Sequence, residues 1–235
     1  MPPTRSTPSR TRRPRVPVGL FLATGCQPGT ERPAPAGQPS WHGATPAAVA
    51  EIIRTYTTDG DLVIDLDAHP TVNAAARFLH RRPATLTTTD LGPRIRLLPP
   101  PPGEPGSFQE VAPVGSDAAL VLVTLPRAEV RDTDPETLSR AMQHWRTLLR
   151  PGGFLIVVPT PPTHPTGRLS PRAAVIAAAP TAGLRWHQQL LIVAGLPDDE
   201  PHPETTPIRL LDGRHISAHR TPLVFTTVES EVTHA

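Results

Sequence analysis

Three short stretches carry side chains able to hold or transform a ligand, and each follows an apolar or β-branched run. Asp65-Leu66-Asp67-Ala68-His69-Pro70 follows Leu62-Val63-Ile64. Asp90 closes the stretch ATLTTT, and Thr124-Leu125-Pro126-Arg127 ends the run AALVLVTL. In an open α/β sheet the ligand lies beyond the carboxyl ends of the strands, where the strand order reverses. Asp65 then stands where the first strand meets a ligand. Asp90 stands where a second strand would offer a carboxylate to ribose-type hydroxyls, although a loop or capping role suits it equally well. Thr124 and Pro126 stand where the reacting group of a substrate would lie. One feature opposes a nucleotide-like ligand: the loop 65–70 has no glycine, so side chains occupy the space where backbone would make a close approach.

These residues need elements to hold them. Thr45 is placed as an N-cap with Pro46 at the first helical position, and Val49, Ile52, Ile53 and Tyr56 recur at helical spacing. Residues 62–64, 83–89, 95–98, 118–125, 154–158, 184–194 and 222–228 are expected as strands. Residues 71–80, 135–149 and 171–182 are expected as helices, with Asp134 capping the second and Arg150-Pro151-Gly152-Gly153 stopping it. Pro180 should disturb the third. Strands alternating with helices imply a mostly parallel sheet covered on both faces, Rossmann-like and doubly wound. The closing helix–strand–loop–strand order adds an antiparallel C-terminal strand. Segments 62–65, 118–124 and 153–158 should be adjacent and mutually parallel. Trp145 and Trp186 read as core. Trp41, beside His42 and ahead of the first helix, is a candidate for lining the ligand cleft.

Composition narrows the class. Of 235 residues 33 are proline, crowded into the first forty positions and a few loops, and the hydrophobic share of 37% is low for a globular chain. Residues 1–40 read as an Arg/Pro-rich arm, disordered through residue 15, with one short ordered piece at 18–24. Residues 41–235 read as a single α/β domain. The basic residues are all arginine, as in a GC-biased coding sequence, and the net charge of +2 gives no general nucleic-acid signal. The cluster Arg5, Arg10, Arg12, Arg13 and Arg15 is able to hold phosphates but suits a solvated tail better. Cys26 is the one cysteine, so neither an internal disulfide nor a cysteine-based zinc site shapes the fold. The Arg-rich stretch, the run 16–22 and Cys26 imitate an export signal, but Pro17 and Gly19 interrupt it. No run reaches the length of a membrane span, and a cytoplasmic protein is expected. His215 and His219 are four apart on a segment with no helical pattern, and no third ligand has fixed spacing. No metal site is expected.

The stretch DGDLVIDLDAHPTVNAAARFLHRRPATLTTTD resembles the cofactor-binding region of bacterial DNA amino-methyltransferases of the adenine-N6/cytosine-N4 type. The similarity is to the DNA-methylase-like proteins of actinobacteria. LRPGGFLIVVPTPP, GRLSPRAAVIAAAPTAGLRWHQQLLIVAG and HISAHRTPLVF resemble the same proteins in the same order. The resemblance runs over residues 17–228 and implies S-adenosylmethionine as cofactor, with Asp65, Asp67, Asp90 and Trp41 around it. It also implies DNA as a partner. The family carries Asp-Pro and a Gly-rich turn where this chain has Asp65 to Pro70. It carries a polar residue, two prolines and an aromatic where this chain has Thr124, Leu125, Pro126 and Arg127. Thr124 and Pro126 retain part of the hydrogen-bonding role toward a target amino group. Leu125 breaks the Pro-Pro turn. Arg127 replaces a ring that stacks on a flipped base, and its charge opposes a transition state that develops positive charge on nitrogen. The resemblance therefore implies weakened or lost catalysis. The remaining readings are a binding or regulatory module and a small-molecule methyltransferase.

Overall fold

The computed structural model describes residues 16–22, 41–42, 44–90, 92–98, 111–113, 115, 117–127, 130, 134–159, 170–193 and 219–227. Cys26, residues 1–15, and His215 lie outside them. The elements are β1 (Val18–Leu22), α1 (Pro46–Tyr56), β2 (Leu62–Asp65), α2 (Pro70–Phe78), β3 (Arg82–Thr89), β4 (Gly92–Leu97) and β5 (Val111–Pro113). They continue with β6 (Ala118–Leu125), α3 (Pro135–Arg146), β7 (Leu149–Pro159), α4 (Pro171–Ala178), β8 (Leu184–Val193), β9 (His219–Arg220) and β10 (Leu223–Thr227).

The strands make one sheet in the order β1-β8-β10-β7-β6-β2-β3-β4-β5, with β9 beside β8. β7, β6 and β2 are adjacent and parallel, as their apolar runs require. β10 is antiparallel to both of its neighbours, β7 and β8, which gives the antiparallel C-terminal strand. Helices cover both faces. One buried cluster joins Leu138, Met142 and Trp145 of α3 and Ala174, Val175 and Ala178 of α4 to Ile64, Val121, Val123 and Leu155. The other joins Val49, Ile52 and Ile53 of α1 and Val72 and Ala76 of α2 to Val63, Leu120, Leu122 and Ile156. Alternate residues of the central strands feed the two clusters, which is why these strands are apolar throughout. The fold is the doubly wound Rossmann-like one. From β2 the chain moves outward through β3, and from β6 it moves the other way through β7. The switch point therefore lies between β2 and β6.

Local signals fix the helix starts. Thr45 accepts from the Ala48 N–H, Asp134 from Thr137 and Ser170 from Ala173, each followed by proline at the first turn. α4 ends at Ala178, with Pro180 in the turn that follows. The expected helix 135–149 is shorter than its pattern. α3 ends at Arg146, and Leu149 through Gly153 belong to β7, where Leu149 pairs with Ala118. Between Ala118 and Leu120 the register slips, so β7 bulges through Pro151-Gly152-Gly153 rather than stopping a helix. The weak strand expected over residues 95–98 is Gly92–Leu97, and it turns back antiparallel on β3. Val18–Leu22, the short ordered piece of the arm, pairs parallel with β8 at the sheet edge. Among the described residues no helix is long and apolar enough to cross a membrane.

Candidate functional site

Asp65 ends β2 and is almost fully buried at 1% exposure. Its carboxylate caps its own loop, accepting from the Asp67 N–H at 3.1 Å and the His69 N–H at 2.7 Å. Burial pushes its pKa up to about 6, and the two N–H bonds moderate that rise. Ala68 sits at φ +49° to close this turn, a left-handed conformation that favours glycine. His69 caps α2, with Nδ1 accepting from the Thr71 N–H at 3.3 Å. Burial holds the His69 pKa below the ordinary histidine range.

Across the switch point, the Asp67 carboxylate accepts from the Thr124 N–H at 3.1 Å and forms an ion pair with Arg127. Arg127 also donates to the Leu66 carbonyl at 3.4 Å. Thr124 Oγ1 is 2.8 Å from His42 Nε2. Three segments thus meet over the crevice: the loop after β2, the loop after β6, and the turn before α1. Among the sequence candidates, Asp65, Asp67 and Thr124 come together here. Pro126 is exposed beside them. Trp41 does not present its ring to an open cleft. It is 1% exposed, packed in the α1–α2 cluster, with an indole N–H that has no partner.

Asp90 is placed elsewhere. β2 pairs with β3 only as far as Ile64 and Ala84, whereas β3 continues to Thr89. Asp90 therefore projects about 16 Å past the end of β2, at about 3.3 Å per residue. It stands exposed in the hairpin turn to β4, since Thr89 pairs with Gly92. The residue of β3 level with Asp65 is Thr85. Two members of the site do not stand out as ligands in the sequence. His42 is visible there only as the neighbour of Trp41, and the φ of +51° that aims it has no sequence signal in a non-glycine residue. Arg127 stands out for its charge at the position of a stacking ring, not as the partner of Asp67. Among the described residues no three histidine, cysteine, aspartate or glutamate side chains gather as a metal site.

No family model matches the chain, and no curated protein does. Solved structures do. The antibiotic-resistance methyltransferase Kmr is 14% identical, with a TM-score of 0.42 over 77% of this chain and 93% of that one. The 16S rRNA methyltransferase KamB is 18% identical, with a TM-score of 0.42 over 76% and 93%. A possible exported protein from Bordetella parapertussis is 10% identical, with a TM-score of 0.40 over 87% and 77%.

The donors of the crevice decide whether S-adenosylmethionine fits. The Leu66 N–H bonds to the Leu122 carbonyl, Asp67 and His69 to the Asp65 carboxylate, and Ala68 to the Asp65 carbonyl. Pro70 has no N–H, Thr71 bonds to His69, and Thr124 bonds to Asp67. Each backbone donor from residue 66 to 71, and that of Thr124, is spent on the protein itself. The polar end of the cofactor would meet side chains and satisfied donors where it needs backbone and free ones. The residues present do not fit it.

Proposed function

We propose that this protein is a methyltransferase-like module, related to the S-adenosylmethionine-dependent DNA amino-methyltransferases, that does not catalyse methyl transfer. It works in the cytoplasm by binding, with DNA as the partner its sequence resemblance implies. The observation carrying this reading is the self-satisfied crevice: the Asp65 cap and the Asp67–Arg127–Thr124 bridge consume the donors a cofactor would use. The substrate side supports it. Leu125 is buried at 2% exposure, so it packs into the core rather than extending a hydrogen-bonding turn. Arg127, at the position of the stacking ring, is held by Asp67. Loss of one well-placed catalytic hydrogen bond commonly costs about 3 kcal/mol, about a hundredfold in rate, and both halves of this site are altered.

The test is a methyl-transfer assay with radiolabelled S-adenosylmethionine on mixed genomic DNA, with the Asp65→Ala protein alongside. Incorporation is expected to stay at background in both. Transfer well above background that disappears in Asp65→Ala would show a working enzyme.

A further inference from the structure

The β3–β4 hairpin has one apolar face and one that is not. Ile95 is buried in the α3–α4 cluster, with Ala84 and Leu86 of the facing strand. The alternate residues, Arg94 and Arg96, therefore point to the opposite face, the side of the sheet that carries α2. There Arg94 lies across from Thr87 and Arg96 across from Thr85. Cross-strand partners share a face, so both arginines and both threonines rise from it, with Thr85 buried and the arginines about 7 Å apart along the strand. Arg77 of α2 reaches the same hairpin, donating to the Leu98 carbonyl at 2.6 Å.

Three observations mark this as more than a solvated face. Both arginines are half-buried, unlike ordinary surface arginines. Arg96 Nε is buried and has no hydrogen-bond partner, so this guanidinium is not satisfied within its own face, a state that native structures show only rarely. Among the described residues neither Arg94 nor Arg96 enters an ion pair. The only acidic side chain on the hairpin is Asp90 at its tip, four residues from Arg94. A guanidinium offers the N–H groups of its two Nη atoms as a planar fork, which matches two oxygens of a phosphate.

We propose that Arg94 and Arg96, with the hydroxyl of Thr87, form a binding site for a phosphate group. The group belongs either to a phosphodiester backbone or to a small phosphomonoester, since both present the same oxygens. The site does not involve the crevice, so it stands or falls separately from the reading of that crevice.

The test uses the full chain with its arginines labelled with nitrogen-15, following the Nε–H resonances of Arg94 and Arg96. One arm adds inorganic phosphate against chloride at matched ionic strength. The other adds a short single-stranded oligothymidylate. A saturable shift of the Arg96 resonance with phosphate is expected, and in Arg94→Gln the phosphate concentration that half-saturates this shift should rise about tenfold or more, the loss of charge-assisted hydrogen bonds. If the oligonucleotide shifts the same resonances at lower concentration, the source is a nucleic-acid backbone. If only inorganic phosphate shifts them, it is a phosphomonoester. If neither moves the Arg96 resonance beyond the chloride blank, the proposal is overturned. That outcome is read on the wild-type chain and does not depend on how the variant folds.

Discussion

Gly153→Val is expected to cost about 3 kcal/mol or somewhat more, at or above the upper end for overpacked core substitutions and a large fraction of the stability of a marginal domain. A Cβ at this position would stand 2.9 Å from the carbonyl oxygens of Ala118 and Arg150 and 3.3 Å from Leu149 Cβ. The first two are backbone atoms at the start of the β6–β7 pairing, so no side chain can swing aside. The surrounding bulge is also pinned, because the Gly152 N–H donates to Thr227 Oγ1 at 2.9 Å and Thr226 Oγ1 donates to the Gly153 carbonyl at 3.3 Å. Gly60 is the control. It has φ +78°, but nothing lies within 4 Å of where a Cβ would stand, so Gly60→Ala should cost only the backbone penalty of about 1–2 kcal/mol. Urea unfolding of the two variants checks this. Equal midpoint shifts would mean that crowding at the bulge does not matter.

Asp65→Ala should show a stability difference from wild type that shrinks with rising pH. The Asp65 pKa is raised from 3.8 to about 6 in the folded protein. Between these values the native state binds more protons than the unfolded state, so stability falls as pH rises. The contribution is fully present below about pH 4 and is lost as pH rises through about 6, amounting to about 3 kcal/mol for a rise of this size. The alanine variant lacks this titration and leaves the N–H groups of Asp67 and His69 without their acceptor. It should be markedly less stable than wild type at about pH 4, and the gap should narrow by about 2–3 kcal/mol by about pH 7.5. Unfolding both proteins at the two pH values decides it. A constant gap would mean that Asp65 titrates normally.

The central sheet followed directly from the sequence because its strands are buried on both faces, and double burial writes continuous apolar runs such as 118–125. The helix starts followed because Thr45 and Asp134 each precede a proline, and capping is local chemistry. The end of α3 did not follow. Leu149 continues the apolar stripe of the helix, but its pairing with Ala118 draws it into β7. Tertiary pairing outweighs helical spacing there. The β3–β4 hairpin carried a signal in its alternation of Leu86 and Ile95 with threonine and arginine, yet the parallel pattern elsewhere favoured an acid at a strand end for Asp90. Of the candidate site, Asp65 was identifiable because a strand end fixes its place. The Asp67–Arg127 pair was not, since it joins residues 60 positions apart through loops whose conformations depend on left-handed backbone at Ala68. Sequence order alone does not show that two loops close over a crevice.

The most direct measurement is calorimetric titration of S-adenosylmethionine into the wild-type chain at neutral pH. With the donors of residues 66–71 and of Thr124 already bonded within the protein, no saturable heat is expected at ligand concentrations up to about 1 mM, which corresponds to a binding free energy weaker than about 4 kcal/mol. A one-to-one isotherm with a dissociation constant in the micromolar range would contradict a closed crevice. The Asp67–Arg127–Thr124 bridge would then have to open for the cofactor.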